Sequence, residues 1–206
     1  MKKTIISCVL FLTAVTAFSQ TPMKTAAEAK LSASDLAVKI ADRILATTTY
    51  EFKNTKTGKT YKSVKNLPVD MNVKVACKYN NWHYTNGVTH IALMELADKT
   101  GAKKYDDYVL KNMNFVFNEG NLDFFKKQYD QAMKNEGWYG VRKLSWHMIF
   151  RGKRLDDNGP MGASLIDLQM KHPNNSFLNY INETAEHLNY GEPLVWLTVL
   201  IAVSGS

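Results

Sequence analysis

The chain has 206 residues, of which 45% are hydrophobic and 22% are charged. This composition excludes a disordered chain and predicts one globular domain with a buried core. The formal net charge of +7 favours anionic partners without choosing among nucleic acid, membrane surface and acidic sugar.

The first twenty residues have the layout of a secretory signal. Lys2 and Lys3 precede an apolar stretch from Thr4 to about Phe18, and small or polar residues follow it. The stretch is shorter than the roughly 20 residues that span a bilayer, and its flanks are those of a cleaved segment. We therefore expect an exported bacterial protein, periplasmic or secreted, with no membrane span. Residues 1–20 are the predicted signal peptide, and 21–33 the predicted flexible mature N-terminus.

Cysteine content is low. Cys8 lies inside the predicted signal, so cleavage leaves Cys77 alone. An internal disulfide is then excluded, and a metal site at Cys77 is disfavoured because no second cysteine or histidine is close in sequence. We expect neither a metal nor a cofactor.

Helical spacing begins at Ser34, which we interpret as an N-cap. Apolar residues then recur every four positions beside a second apolar row, which predicts a helix with its core face formed by Leu36, Ala37, Ile40, Ala41, Ile44 and Leu45.

The segment from about Phe52 to Lys78 has turn residues, lysines and β-formers but no helical period, which predicts a loop with a short hairpin. Its lysines could contact an anion. Because no aromatic residues form a stacking platform between them, we interpret them as a solvated loop face and expect no nucleic-acid partner.

An internal repeat follows Trp82. At an offset of 72 residues, two stretches match in pattern, and the Thr100-Gly101 stop of the first copy falls on the His172-Pro173 stop of the second. The matched pairs are Gly87 and Gly159, Leu93 and Leu165, Met94 and Ile166, Leu96 and Leu168, Tyr105 and Phe177, Tyr108 and Tyr180, Val109 and Ile181, and Val116 and Leu188. Each copy reads as a helical hairpin that must stack on neighbours, in a helical array or a closed ring.

Polar and aromatic residues precede the first helix of both copies. Trp82, His83 and Tyr84 lie before Gly87, whereas Asp156 and Asp157 lie before Gly159. Stacked hairpins would bring these loops to one end, where aromatic rings could cover a sugar face and carboxylates could bind hydroxyls or transfer protons.

Structural interpretations stay open beside this one. The two aspartates could cap a helix, Trp82 and Tyr84 could be buried, and His83 could be a core histidine. His90 lies two helical turns after His83, but without a third ligand the pair does not indicate zinc. The aromatic stretch 137–150 fits either a loop over the same end or a packed satellite cluster.

Three stretches resemble the unsaturated glucuronyl and rhamnogalacturonyl hydrolases of glycoside hydrolase families 88 and 105, the latter more closely. They are YNNWHYTNGV (79–88), LMELADKTGAKKYDDYV (93–109) and RLDDNGPMGASLIDL (154–168). The resemblance implies an all-α fold, an (α/α)6 barrel of six hairpins, here truncated to about its first five helices over residues 34–193. It also implies removal of a 4,5-unsaturated uronic acid from the non-reducing end of a lyase-generated oligosaccharide.

The resemblance also implies roles for individual residues. Asp157 is similar to the family's first active-site aspartate, and Asp156, Trp82, His83 and Tyr84 are similar to substrate-binding positions. In that family, an aspartic acid protonates C4 of the enol ether, water adds at C5, and the resulting hemiketal falls apart. The family's second aspartate, usually assigned as its general acid and base, lies in a W-x-D-D-like motif beyond the region of similarity.

The last residues depart from the family pattern. The run LVWLTVLIAV (194–203) has no charged residue and no amphipathic period. We therefore interpret residues 194–206 as an atypical apolar tail, and hypothesise a frameshift near Pro193. The functional alternatives are a non-catalytic helical-repeat fragment that binds saccharide or protein, and another six-hairpin enzyme acting on saturated sugars. The oligomeric state stays open.

Overall fold

A computed structural model of the chain describes residues 32–117, 120–151 and 155–189, excluding the side chains of 155–157 and 186–189. The predicted signal peptide, all but the end of the mature N-terminus, and the apolar tail lie outside these residues. The chain divides into two compact units, residues 1–37 and 38–206, and only residues 32–37 of the first are described.

The described residues are mostly helical with one small sheet, which agrees with the predicted all-α class at this level. None of their helices is long and apolar enough to cross a membrane. In chain order the elements are α1 (Ala33–Thr47), β1 (Phe52–Asn54), β2 (Thr60–Tyr61), β3 (Val73–Val75), α2 (Tyr84–Thr100), α3 (Lys104–Phe117), α4 (Asn121–Val141), a 3-10 helix (His147–Phe150), α5 (Leu155–Lys171) and α6 (Asn175–Asn189).

Helix α1 begins earlier than predicted. Its cap is Ser32 rather than Ser34, because the Ser32 hydroxyl accepts the backbone N–H of Asp35 at 3.1 Å. The predicted core face is correct only in its second half: Ala41 is buried and Ile44 and Leu45 are half-buried, whereas Leu36 and Ile40 are exposed. Periodicity identifies an apolar face but not how much of it neighbouring elements cover.

The predicted loop after α1 contains a three-stranded antiparallel sheet in the order β2-β1-β3. In the central strand, Phe52 pairs with Tyr61 on one side and Val75 on the other. Phe52 is fully buried and stacks on Phe115 of α3 at 5.3 Å between ring centroids. This side of the sheet therefore forms part of the core, and the other side faces outward.

Helices α2 and α3 form one hairpin, and α5 and α6 form a second. Each helix of the second hairpin begins 71 residues after its counterpart in the first, within one residue of the predicted offset. The first hairpin turns at Gly101, which has a φ of 69° and donates its N–H to the Ala97 carbonyl at 2.8 Å. The two predicted hairpins and their stops are confirmed.

Helices α2 and α5 lie side by side and run in the same direction. Near their beginnings the backbones touch, since a Cβ on Gly87 would lie 2.6 Å from the Pro160 carbonyl oxygen. Near their ends, Lys171 Nζ contacts an Asp98 carboxylate oxygen at 2.7 Å and an Asp106 oxygen of α3 at 3.3 Å. Start pairs with start and end with end, so the helices are parallel.

A small polar cluster is buried between α2 and α3. His90 Nε2 accepts from Asn112 Nδ2 at 3.3 Å, and the His90 ring lies edge-on to Tyr108. The other ring nitrogen of His90 has no hydrogen-bond partner among the described residues. Burial without a compensating charge lowers the pKa of His90 to about 4.

The contact at Gly87 generates a prediction about packing. Gly87→Ala should lower the free energy of unfolding by about 1–3 kcal/mol, because its methyl group must displace α5 backbone. The matched control is Gly162→Ala, where a Cβ meets nothing within 4 Å and alanine should raise helix stability by up to about 1 kcal/mol. Urea unfolding measures both variants, and equal effects would contradict the close approach of α2 and α5.

The buried imidazole of His90 generates a prediction about pH. Its folded-state pKa lies below the ordinary 6.5, so the unfolded chain binds the proton more readily as pH falls. The free energy of unfolding should therefore decrease between pH 6.5 and about 4, by at most about 3 kcal/mol from this group. His90→Gln should flatten this decrease, and His172→Gln in the loop after α5 should leave it unchanged. An unchanged pH profile in His90→Gln would show that His90 is not buried in its neutral form.

Candidate functional site

The beginnings of α2 and α5 are joined by a buried hydrogen bond. The indole Nε1 of Trp82 donates to Asn158 Oδ1 at 2.7 Å, and Asn158 Nδ2 donates to the Arg151 carbonyl at 2.9 Å. Asn158 thus connects the residues before α2 with the residues before α5. We call this end of the structure the rim, and define it by residues 81–84, 146–151 and 155–158.

The aromatic stretch after α4 reaches the rim through Trp146. Its backbone N–H donates to Asn81 Oδ1 at 2.7 Å, and its fully buried ring lies 6.1 Å from Phe125 and 6.3 Å from Trp82. Trp146 has a φ of 60°, a conformation unusual for a bulky residue and held here by the packing around it. The satellite-cluster interpretation is therefore correct for Val141 and Leu144, which pack with Ala132, whereas the Trp146 ring belongs to the main core and its backbone contacts Asn81 at the rim.

Trp82 is placed differently from the expected substrate-binding residue. Its side chain is 1% exposed, and its ring packs edge-on against Tyr180 at 5.4 Å and beside Trp146. The indole therefore has no free face for a sugar. Its N–H needs a partner in the core and finds one in Asn158, so Trp82 positions the rim instead of lining it.

His83 and Tyr84 are both exposed at the rim. His83 is the N-cap of α2, with its Nδ1 2.9 Å from the Thr85 hydroxyl and 3.4 Å from the Thr85 backbone nitrogen. The Tyr84 side chain is 47% exposed, and its ring lies 4.7 Å from the His83 ring. The two rings form an aromatic pair open to solvent, a surface on which a sugar ring can stack.

Asp156 and Asp157 lie in the first turn of α5, because that helix begins at Leu155. Their side chains are outside the described part of the structure. Their backbone position is nevertheless set by Asn158, which directly follows Asp157 and bonds to Trp82. Because the helix begins at Leu155, neither aspartate is the expected N-cap, but the helix dipole favours a carboxylate in the first turn, so a structural role for both stays open.

Arg151 is a rim residue that the sequence analysis did not single out. It is half-buried, and its guanidinium carbon lies 3.7 Å from the centre of the Trp138 ring, while its carbonyl accepts from Asn158. An arginine held on an aromatic face presents a fixed cation to a carboxylate. No sequence spacing indicated this, because Trp138 and Arg151 meet only through the fold of the segment between them.

A second pair of carboxylates lies away from the rim. Burial raises the pKa of Asp167, and the nearby negative charge of Glu95 raises it further, against the lowering effect of Lys171. The 72-residue offset aligns Glu95 with Asp167, a signal the sequence analysis overlooked. Asp167 comes twelve residues after Leu155, about 18 Å along the helix. It therefore lies toward the end of α5 that is opposite the rim, where Lys171 contacts Asp98 and Asp106.

Metal ligation is not indicated within the described ranges, which contain no group of three metal-ligating side chains. His83 is exposed at a cap, whereas His90 is buried in the core.

No protein-family model matches the chain, and no curated protein matches it.

The bridging role of Asn158 generates a prediction. Asn158→Asp keeps an acceptor for Trp82 but places a carboxylate oxygen against the Arg151 carbonyl, so the free energy of unfolding should fall by about 1–3 kcal/mol. Asn179→Asp, an exposed position on α6, is the control and should change it by no more than about 0.5 kcal/mol. Thermal or urea unfolding distinguishes them. Equal stability of the two variants would show that Asn158 does not join the two helices.

Proposed function

We propose that the rim binds a 4,5-unsaturated uronic acid at the non-reducing end of an oligosaccharide, as part of a hydrolase site that removes this sugar by hydration. The observation that carries the proposal is the common end of α2 and α5. Tyr84 follows Trp82 by two residues, Asp157 precedes Asn158 by one, and Trp82 bonds to Asn158. The resemblance to unsaturated uronyl hydrolases supplies the reaction.

Each rim group has a role in this proposal. The exposed Tyr84 ring stacks on the sugar, with His83 beside it. Asp157 takes the position of the family's first active-site aspartate. A carboxylic acid of the complete site donates a proton to C4 of the double bond, and water adds its hydroxyl at C5 and returns its other proton to that carboxylate. The C5–O5 bond of the hemiketal then breaks to give a ketone, and the hemiacetal left at C1 releases the shortened oligosaccharide. Arg151 is a cation suited to the uronate carboxylate, since arginine binds carboxylates in a planar, bidentate geometry.

The larger architecture is also a proposal. The (α/α)6 barrel would place further hairpins beside α2 and α5. Two apolar side chains on these helices support it, because Val88 is 55% exposed and Met170 is 56% exposed. Apolar side chains left open on helix faces are typical of a surface that another element covers.

A second candidate function is a non-catalytic module that binds saccharide through the same rim. The exposed aromatic pair of His83 and Tyr84 favours it, because stacking needs no catalytic group. Incubation with an unsaturated uronyl disaccharide separates the two candidates. Loss of the ultraviolet absorbance of the double bond supports the hydrolase, whereas saturable binding with persistent absorbance supports the module. Absence of both binding and turnover would contradict both candidates.

The carboxylate assignment generates a prediction about turnover. In whichever form of the protein turns over the disaccharide, Asp157→Asn should lower kcat by about a hundredfold or more, because it removes a carboxyl group from the reacting site. Asp156→Asn is the matched control and should retain activity within about tenfold. Near-normal turnover in Asp157→Asn would remove Asp157 from the mechanism.

The stacking assignment generates a prediction about binding. Tyr84→Ala should weaken disaccharide binding about tenfold, since a stacked aromatic contact contributes about 1 kcal/mol or more. Leu178→Ala is the control: this side chain is 40% exposed and lies near the start of α6, at the end opposite the rim. Calorimetric titration measures both. Equal affinities of the two variants would place the sugar elsewhere.

A further inference from the structure

The positive charge of the chain is concentrated in one short segment. Residues 53–78 contain seven lysines and one aspartate, a net charge of +6 out of the +7 of the whole chain. The remaining residues hold 19 basic and 18 acidic side chains and are nearly neutral. A positive field therefore originates in the segment built around the small sheet. We call this set the lysine face: Lys53, Lys56, Lys59, Lys62, Lys65, Lys74 and Lys78.

The sheet places two of these lysines directly opposite each other. Lys53 of β1 pairs with Lys74 of β3, and on the same strands Phe52 and Val75 are buried. Side chains alternate along a strand, so the two lysines share the outward side of the sheet. Like charges opposite each other destabilise a sheet, and a bound anion would relieve that repulsion.

Among the described residues, the lysine face has little compensation from carboxylates, since its one electrostatic partner is Asp70, which interacts with Lys56 without a salt bridge. Within the parts of the chain that the structure describes, none of the seven lysines forms a salt bridge. The one acid of the segment, Asp70, accepts from the Asn72 backbone at 2.8 Å and from Asn54 Nδ2 at 2.6 Å. These bonds hold the turn between the strands, so Asp70 is engaged in structure.

We propose that the lysine face binds an acidic polysaccharide. The residues between its lysines are rich in hydroxyl groups, which suit a hydrated saccharide: Thr55, Thr57, Thr60 and Ser63 are all exposed. Lysine supplies a mobile point charge for carboxylates spaced along a flexible chain. Five of the lysines recur at every third position from Lys53 to Lys65, which spreads the charge along the segment.

Two other polyanions fit less well. A membrane surface is disfavoured because no large hydrophobic side chain between residues 53 and 78 is exposed for insertion. Nucleic acid is disfavoured because the segment has no arginine and no free aromatic platform. Its one tyrosine, Tyr61, and the adjacent Tyr79 are covered by lysines, with Lys59 Nζ 5.1 Å from the Tyr61 ring centre and Lys78 Nζ 4.9 Å from that of Tyr79.

The choice of an acidic sugar polymer over other polyanions rests on the proposed function. The lysine face would hold the polymer, whereas the rim would act on chain ends. The two sites are distinguished by their ligands, because the disaccharide tests the rim and a long polymer tests the lysine face.

The experiment measures binding of polygalacturonate to the full chain at several salt concentrations. Replacing three lysines in K53Q/K59Q/K74Q should weaken binding at least about tenfold and flatten its salt dependence, because fewer counterions are released. The control K103Q/K127Q/K134Q removes the same charge from exposed positions outside the segment and should change binding less than about threefold. Turnover or binding of the disaccharide should be the same in both triple variants.

Three outcomes would overturn the proposal. The first is that the wild-type protein binds polygalacturonate no more tightly than neutral dextran. The second is that the two triple variants lose affinity equally, which would indicate total charge rather than the lysine face. Tighter binding to a single-stranded oligonucleotide, or to vesicles containing phosphatidylserine, would assign the face to another class of partner. If the wild-type protein binds polygalacturonate through the lysine face but does not turn over the disaccharide, the proposed function is contradicted and this inference stands.

Discussion

The structure depends on one buried contact, the hydrogen bond from the Trp82 indole to Asn158. An indole N–H and an amide oxygen without partners would each be costly in a core, so the bond fixes the start of α2 against the start of α5. The absence of a side chain at Gly87 lets the two backbones meet directly beside it. Both features act at the same end of two parallel helices. The rim exists because the residues before each helix cannot separate without breaking this bond.

The sequence predicted the repeat well because its signals are local. Apolar spacing and the stops at Gly101 and Pro173 follow from helix geometry, and the two hairpins match the predicted offset within one residue. The state of individual site residues was harder to predict. A tryptophan at position 82 could stack on a sugar or fill the core equally well. Its burial beneath Trp146 and Tyr180 shows that it fills the core. His83 and Tyr84 lie in the same tripeptide but are exposed, because the first turn of α2 directs them outward.

Other features depended on contacts between distant residues. The cross-strand pairing of Lys53 with Lys74 is a matter of register, which loop composition does not reveal, and it changes a solvated loop into a charged surface. Arg151 and Trp138 likewise meet only in the folded chain. The same applies to α1, where the apolar spacing includes Leu36 and Ile40 although both side chains are exposed. In each case the sequence shows the type of the residue but not which residues it contacts in the folded chain.

The central claim is that Tyr84 and Asp157 lie at the same end of the paired hairpins. Spin labels on Tyr84→Cys and Asp157→Cys, in a chain with Cys8 and Cys77 replaced by serine, measure this distance directly. The reference pair places the second label at Met170, thirteen residues along α5 and about 20 Å further from the rim. The account predicts that the distance from position 84 to 157 is much shorter than that from 84 to 170. The reverse order would contradict it.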